Sequence, residues 1–252
     1  MNSKMEKIEE LVCLEIEGDY GHFRKSYTTS SPLTHGVPPR TAITGFLGAL
    51  MGLPQKGENN YHYVFHPERA RIALIIKNPI QRKSVNKNML KVKGETGKLI
   101  DLSGPPREIE RNQVPFEILR NPKYRVYLWL EDKEKEKKFV EIVENHKSVF
   151  TPYLGISEFI ADFNYLGKKN VDFRRDSDIQ IDSVLRKESY QPIFEKGKKY
   201  RRENTSLLMN EDRVVKEFGE ILYEESGDSI EVNNAEYFEV DKTGENITFL
   251  TG

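Results

Sequence analysis

The sequence predicts an α+β fold in which short strands outnumber helices, and three observations favour this class. Residues 11–16, 71–76 and 124–130 are short and rich in aliphatic and β-branched side chains, which is typical of buried strands. Two other segments repeat their apolar residues at helical spacing. With 252 residues, of which 37% are hydrophobic, the chain can bury a sizeable core.

The first strand and the first helix are predicted to lie on either side of a long loop. Residues 11–16 are followed by Gly18, a turn signal, and residues 18–40 are rich in Ser, Thr, Gly and Pro without periodicity. A helix is predicted directly after this loop, because Pro38 and Pro39 suit a helix start and Gly52 suits its end. The sequence therefore predicts strand, irregular loop and helix in succession.

A basic insertion separates the second strand from the third. It is punctuated by glycine and poor in large apolar residues, and residues 80–92 have the length and breaks of an extended hairpin. Such a hairpin has too little apolar surface to pack on a core, so we expect it to project and to favour polyanions. A second, amphipathic helix is predicted over residues 133–149, and residues 150–167 are predicted to form a loop and a strand.

The predicted order is close to β-α-β-β-α-β, the ferredoxin-like pattern of many RNA-binding modules, including the RRM. We expect a ferredoxin-like domain over residues 1–167, with the projecting basic hairpin in an insertion at about 78–112. Short strand-like segments at 183–190, 214–223 and 246–250 predict a smaller β-rich lobe over residues 168–252.

Charge is distributed unevenly along the chain. The formal net charge is only −1, yet residues 68–125 hold 14 Lys/Arg against 6 Asp/Glu, and residues 203–252 hold 3 against 13. This favours a polyanion-binding middle and an acidic tail that either docks to protein or screens the basic region, although two solvated faces could differ in the same way. The single cysteine, Cys13, gives no disulfide framework, and the charged start and short apolar runs predict a cytoplasmic protein without membrane contact.

The loop and the start of the first helix combine residue types that RNA recognition uses together. Glycines permit close approach, hydroxyls reach phosphate or 2′-OH groups, cations supply charge, and rings stack on unpaired bases. An ordinary polar surface loop has the same composition, so composition alone leaves both interpretations open. The candidate RNA-binding residues in this region are Gly21, His22, Phe23, Arg24, Lys25, Tyr27, Thr28, Thr29, Ser30, Arg40, Thr41, Thr44 and Gly45.

Three stretches resemble one family, in the right order. GDYGHFRKSYTTSSPLTHGVPPRTAITGFLGALMGLP at 18–54 closely resembles the N-terminal signature of the fifth numbered family of CRISPR-associated proteins, the RAMP-type Cascade subunit, in its type I-B form. RNQVPFEILRNPKYRVYL at 111–128 and TPYLGISEFIADFNYLG at 151–167 are similar to that family's second and third blocks. No such motif occurs in the C-terminal lobe.

The resemblance implies a RAMP core with a thumb-like hairpin, in a subunit that caps one end of a crRNA-guided surveillance complex. Such a subunit holds the crRNA 5′ handle, contacts the repeating backbone subunit and lies beside the large PAM-reading subunit, while target DNA is read indirectly through guide pairing. Residues 21–30 and 40–45 would line the handle. The thumb and its base would contribute Arg82, Lys83, Lys87, Lys91 and Arg111. No cofactor or metal is implied.

The principal alternative is a metal-independent endoribonuclease. A type I-C member of the family matures crRNA precursor with a proposed Tyr, Lys and His set, and the matching candidates here are His22, Tyr27 and Lys25, with His35 as a spare. Because residues 69–125 contain no histidine, we expect a non-catalytic protein. A general RRM-like binder of single-stranded RNA is a third possibility.

His62 and His66 are four residues apart, but Pro67 argues against a helix there. We therefore expect no metal site at these two histidines.

Overall fold

A six-stranded antiparallel sheet forms the centre of the fold in the computed structural model, which describes residues 7–28, 31–90 and 111–251. Up to the second long helix, the elements are β1 (Glu10–Glu17), β2 (Tyr20–Gly21), α1 (Arg40–Met51), α2 (Tyr61–Val64), β3 (Ala70–Ile76), β4 (Arg82–Leu90), β5 (Arg111–Arg120), β6 (Lys123–Leu130) and α3 (Lys133–Glu144). The second part of the chain adds β7 (Asp162–Asp176), β8 (Ile179–Ile181), β9 (Leu185–Arg186), β10 (Gln191–Ile193), β11 (Tyr200–Met209), β12 (Val215–Glu224), β13 (Ile230–Asn233), β14 (Ala235–Val240) and β15 (Asn246–Ile247).

The central sheet has the strand order β15-β14-β7-β1-β6-β3 and is covered on both faces. Successive side chains of a strand point to opposite faces. On one face, Leu14 of β1 belongs to a core that includes Leu47 of α1 and Phe139 of α3. On the other face, Cys13 packs in a cluster with Phe238 of β14. Burial on both faces explains why β1 reads as a continuous apolar run.

The first helix begins and ends where the sequence predicts. It starts at Arg40 directly after the two prolines, and Gly52 adopts a left-handed conformation at φ +69° that closes its last turn. The backbone N–H groups of Val149 and Phe150 donate to the carbonyls of Leu50 and Ala49. A later loop thus satisfies the Leu50 carbonyl and adds a second bond to that of Ala49, which already accepts from Gly52.

The second long helix is shorter than the predicted 133–149. Asp132 caps its start, and it ends at Glu144, after which His146 has a φ of +50°. Val143 is the last buried residue of its apolar face, and the chain beyond it contacts the sheet through His146, whose ring stacks on Phe163 of β7. The expectation of no helix at His62 and His66 is wrong for His62, which lies in the single turn of α2 capped by Asn60, but this turn ends at Val64, before His66. No helix in the described ranges is long and apolar enough to cross a membrane.

The projecting strands differ from the prediction for residues 80–92. Most of this segment is the single strand β4, which pairs with β5 from Arg82 opposite Leu119 to Leu90 opposite Arg111. The buried Ile118 and Leu119 of β5 anchor the strand pair to the core at its base. Residues 80–92 could not form this anchor alone, because they contain few large apolar side chains. Residues 91–110, which join the two strands, lie outside the described ranges. β2 adds a short third strand beside β5.

The C-terminal part is rich in strands, and β7 connects it to the central sheet. β7 runs through the predicted boundary at 167/168, pairing with β1 along its first half and with β14 along its second. The remaining strands form two three-stranded sheets, β10-β13-β8 and β11-β12-β9. The predicted strand at 214–223 matches β12, whereas residues 183–190 contain only β9 and one 3₁₀ turn at Lys187–Ser189.

Candidate nucleic-acid interface

The loop between β1 and α1 is held against the base of the β4–β5 pair. Tyr20 and Gly21 pair with the end of β5, and the backbone N–H of His22 donates to Leu154 at 3.0 Å. Gly155 lies so close that a Cβ there would be 1.8 Å from the carbonyl oxygen of His22. Its φ of +89° also favours glycine. The loop is therefore packed against two other segments of the chain.

Within the loop, two short extended stretches bond to each other. The N–H of Lys25 donates to Leu33, and the N–H of His35 donates to Phe23, around a bridge between Arg24 and Thr34. Because neighbouring side chains of extended backbone point to opposite sides, His22 and Arg24 lie on one side of the loop and Lys25 lies on the other. These two sides have different surroundings.

His22 faces the β4–β5 pair. Its Nδ1 lies 2.7 Å from the carbonyl oxygen of Glu117, which can only accept, so Nδ1 carries the proton. Its ring lies 4.2 Å from the ring of Phe116, which the ammonium of Lys87 covers at 4.2 Å. Burial lowers the pKa of His22, and repulsion from Lys87 and Arg24 adds to this. The imidazole is therefore neutral at neutral pH, and its buried Nε2 has no hydrogen-bond partner among the described residues.

Lys25 faces the C-terminal part of the chain. Its ammonium lies 2.9 Å from the carboxylate of Glu203 on β11, and the Nδ1 of His35 lies 3.3 Å from the same carboxylate. Arg82, the first residue of β4, also points here and donates to Glu225 at 2.5 Å and to the hydroxyl of Tyr223 at 3.0 Å. The side chains of Lys25 and Arg82 are thus both paired with carboxylates of this chain.

We use the term loop–hairpin surface for five residues of the loop and the β4–β5 pair, of which the last two are partly buried: Arg24, Tyr27, Lys83, Lys87 and Phe116. Tyr27 is 69% exposed, Arg24 and Lys83 are exposed, and the Lys87 side chain is about one third exposed. Arg24 donates to the carbonyl of Thr28, and Lys87 lies 3.9 Å from Glu158. Lys83, Lys87 and Phe116 lie on one face of the β4–β5 pair. This surface combines positive charge with the exposed ring of Tyr27.

The predicted residues of α1 mostly face the interior. Arg40 is 2% exposed and donates to the carbonyls of Phe65, Ala70 and Leu207. Thr41 shares a 2.6 Å hydrogen bond with Ser206, and the hydroxyl of the buried Thr44 donates to the carbonyl of Thr41. The start of α1 is consequently occupied by contacts within the chain.

Gly45 is the predicted α1 residue with open space beside it. It lines a groove of about 520 Å³, together with Phe46, Tyr61, Tyr153 and Arg213. The remaining predicted residues add little to the surface. Phe23 is buried, and Thr28 donates to the carbonyl of Lys25. Thr29, Ser30 and Lys91 lie outside the described residues, and only the backbone of Arg111, in β5, is described.

Sequence reasoning missed three residues that organise this region. Phe116 stacks on His22, the side chain of Glu117 accepts the backbone N–H of Thr34 at 2.9 Å, and Glu203 gathers the cations of the other side. Phe116 and Glu117 lie within the second stretch that resembles the family, and this resemblance could have identified them as candidates. Glu203 had none, because it belongs to the lobe without a motif.

His62 lies in the turn α2, and His66 lies just beyond it. No group of three or more metal-ligating side chains occurs within the described parts of the chain. Burial lowers the pKa of His62, and His66 lies 3.7 Å from the carboxylate of Glu68.

The fold is one that CRISPR proteins have. One similar structure is described as a CRISPR RNA-guided surveillance complex, with a TM-score of 0.54 and 11% identity over 90% of this chain and 91% of that chain. A second is a CRISPR protein from Archaeoglobus fulgidus, with a TM-score of 0.51 and 15% identity over 94% of this chain and 97% of that chain. No curated protein matches the sequence.

The family follows from the sequence itself. Residues 11–223 match the family described as CRISPR-associated protein (Cas_Cas5). The chain belongs to this family, which confirms at family level the resemblance carried by the three sequence blocks.

Proposed function

We propose that this protein is a non-catalytic, crRNA-binding subunit of a type I-B CRISPR surveillance complex (Cascade). In this proposal its N-terminal domain is ferredoxin-like and the β4–β5 pair is the thumb. The strand order β7-β1-β6-β3, with α1 and α3 packed on one face, supports the first assignment. The anchored base and the exposed, basic outer face of the pair support the second.

The observation that carries the proposal is the loop–hairpin surface. Arg24, Lys83 and Lys87 offer cations to a phosphate backbone, and Tyr27 offers an exposed ring on which a base can stack. The loop is fixed by backbone pairing before any ligand arrives, which lowers the entropy lost on binding. Among surfaces of the described residues, this one best fits a single-stranded RNA end such as the crRNA 5′ handle.

Family membership and the fold shared with a CRISPR RNA-guided surveillance complex support the proposed partners. They are the crRNA 5′ handle, the repeating backbone subunit and the large PAM-reading subunit, with target DNA met indirectly through the guide. We place this complex in the cytoplasm.

The arrangement of the nuclease candidates supports a non-catalytic role. A base and its partner must lie within hydrogen-bond reach of one reacting group. His22 faces Phe116 and Glu117, whereas Lys25 is paired with Glu203 on the opposite side of the loop. His35 is paired with the same Glu203 and is 5% exposed. The set of His22, Lys25 and Tyr27 is thus divided between different surroundings.

One observation favours the endoribonuclease alternative. His22 is neutral with an unpartnered Nε2, which is the state that a general base requires. Incubating the purified protein with labelled repeat RNA in EDTA tests this alternative directly. We expect intact RNA, and a cleavage product that disappears in His22→Ala would refute the non-catalytic proposal.

Binding is tested in a complex reconstituted with the backbone subunit, using RNA that carries the cognate 5′ handle. We expect Tyr27→Ala to weaken handle binding by roughly tenfold, since loss of one stacked base costs about 1–3 kcal/mol. The matched control is Phe218→Ala, which removes a 49% exposed ring from β12. Equal affinities for handle RNA and for scrambled RNA of the same length would instead support a general RNA binder.

A further inference from the structure

Glu203 lies in the acidic C-terminal part of the chain, yet its carboxylate contacts the RNA-binding loop. It is 4% exposed on β11. Its Oε1 lies 2.9 Å from the ammonium of Lys25, and its Oε2 lies 3.3 Å from Nδ1 of His35 and accepts the backbone N–H of Gly36 at 3.1 Å. One carboxylate therefore holds both ends of the loop segment 25–36.

The same carboxylate reaches the base of the thumb. The guanidinium of Arg82 lies 3.5 Å from Oε1 of Glu203 and is held in place by Glu225 and Tyr223. Gly36 fits tightly into this cluster, because a Cβ there would lie 2.2 Å from the hydroxyl oxygen of Tyr223. The loop and β4 thus share one buried anchor that belongs to neither.

Electrostatics show that this anchor is an ionised carboxylate. Burial alone would raise the pKa of Glu203, but hydrogen bonds from His35 and Lys25 outweigh burial and lower the pKa to about 2. Without the carboxylate, the mostly buried Lys25 ammonium would lose its counter-charge and turn toward solvent. The loop would then keep its short backbone pairing and its bonds to Glu117 and Tyr124, but it would lose the contact that joins it to β11 and to the start of β4.

We propose that Glu203 is a positioning residue that holds the loop and the thumb base in the arrangement that binds the crRNA handle. This inference rests on the proposed function. Glu203 is buried and does not itself face the RNA, so it acts through Lys25, Gly36 and Arg82. The C-terminal lobe would thereby shape the RNA-binding surface of the N-terminal domain.

The experiment compares Glu203→Gln, which keeps the shape but removes the charge, with Glu220→Gln. Glu220 is a matched control because it pairs only with the exposed Arg202 among the cations of the described chain. Hydrogen–deuterium exchange of the free protein reports positioning without RNA. We expect Glu203→Gln to raise exchange at least tenfold in residues 22–36 and 82–90 while β1 and β6 stay protected, and Glu220→Gln to change neither segment.

Binding is then measured in the reconstituted complex with handle RNA and with scrambled RNA of the same length. We expect Glu203→Gln to lower the ratio of the two affinities at least tenfold. Unchanged exchange in both segments, a uniform rise that includes β1, or tighter handle binding would each overturn the positioning role. If the wild-type complex does not distinguish the two RNAs, the proposed function fails, while the exchange result still decides whether Glu203 positions the loop.

Discussion

Arg40 offers the sharpest test of how the structure divides the predicted RNA-binding residues. The sequence places it beside the RNA, whereas the structure buries its guanidinium against backbone carbonyls of three segments. Burial lowers its pKa, and repulsion from Arg71 adds to this, but an arginine stays protonated at neutral pH. Arg40→Met should therefore act on folding rather than on phosphate contact.

The magnitude follows from the geometry of the three hydrogen bonds. The bond to Phe65 is short, at 2.7 Å, and the bonds to Ala70 and Leu207 are long, at 3.3 and 3.4 Å. Charge-assisted bonds contribute about 2 kcal/mol when short and about 0.5 kcal/mol when this long, so the substitution removes about 3 kcal/mol. A chain of this size loses about 2–4 °C per kcal/mol, which gives a fall in Tm of about 6–12 °C.

The assay pairs thermal unfolding with handle binding measured well below the Tm of the variant. Arg120→Met is the control, because Arg120 is exposed on β5 and should change stability by less than about 0.5 kcal/mol. An Arg40→Met protein with unchanged Tm and a smaller salt dependence of RNA binding would refute the reasoning, since that is the behaviour of a lost phosphate contact.

Two further predictions concern the anchors of the loop. Gly155→Ala should destabilise the protein by at least about 2 kcal/mol more than Gly167→Ala, as measured by urea unfolding. Both glycines have φ near +90°, but only a Cβ on residue 155 would collide with the His22 carbonyl. Equal losses of stability would contradict this packing. The depressed pKa of Glu203 contributes stability that is present above the unfolded value near 4.5 and is lost as pH falls toward 2. Wild type should therefore lose about 3 kcal/mol more than Glu203→Gln between pH 6 and pH 2, and parallel losses would show that the carboxylate is not ion-paired.

Local signals predicted the elements more accurately than the contacts between them. The prolines and Gly52 gave both ends of α1, and aliphatic density located β3 and β6 to within one residue at their starts. These features depend on neighbouring residues alone. The pairing of β4 with β5 did not follow from residues 80–92, because a strand of polar residues takes its register from a partner that begins about twenty residues later.

The candidate site divides in the same way. The composition of residues 18–40 predicted the loop, and its sequence motif predicted the family, but nothing local distinguishes the exposed Arg24 from the mostly buried Lys25 or the buried Arg40. The surroundings of Lys25 and Arg40 come from β11, from Phe65 at the end of α2 and from Ala70 at the start of β3, all distant in sequence. Whether a cation meets solvent or a carboxylate is a property of these long-range contacts.

The sequence by itself determined the α+β class, the loop, the first helix and the family, since each depends on consecutive residues or on their local periodicity. Only the tertiary structure decided which charges remain available to a ligand. A carboxylate such as Glu203 acquires its role from two cations, one imidazole and a backbone N–H. Folding brings these groups together over more than a hundred residues and places them around one carboxylate.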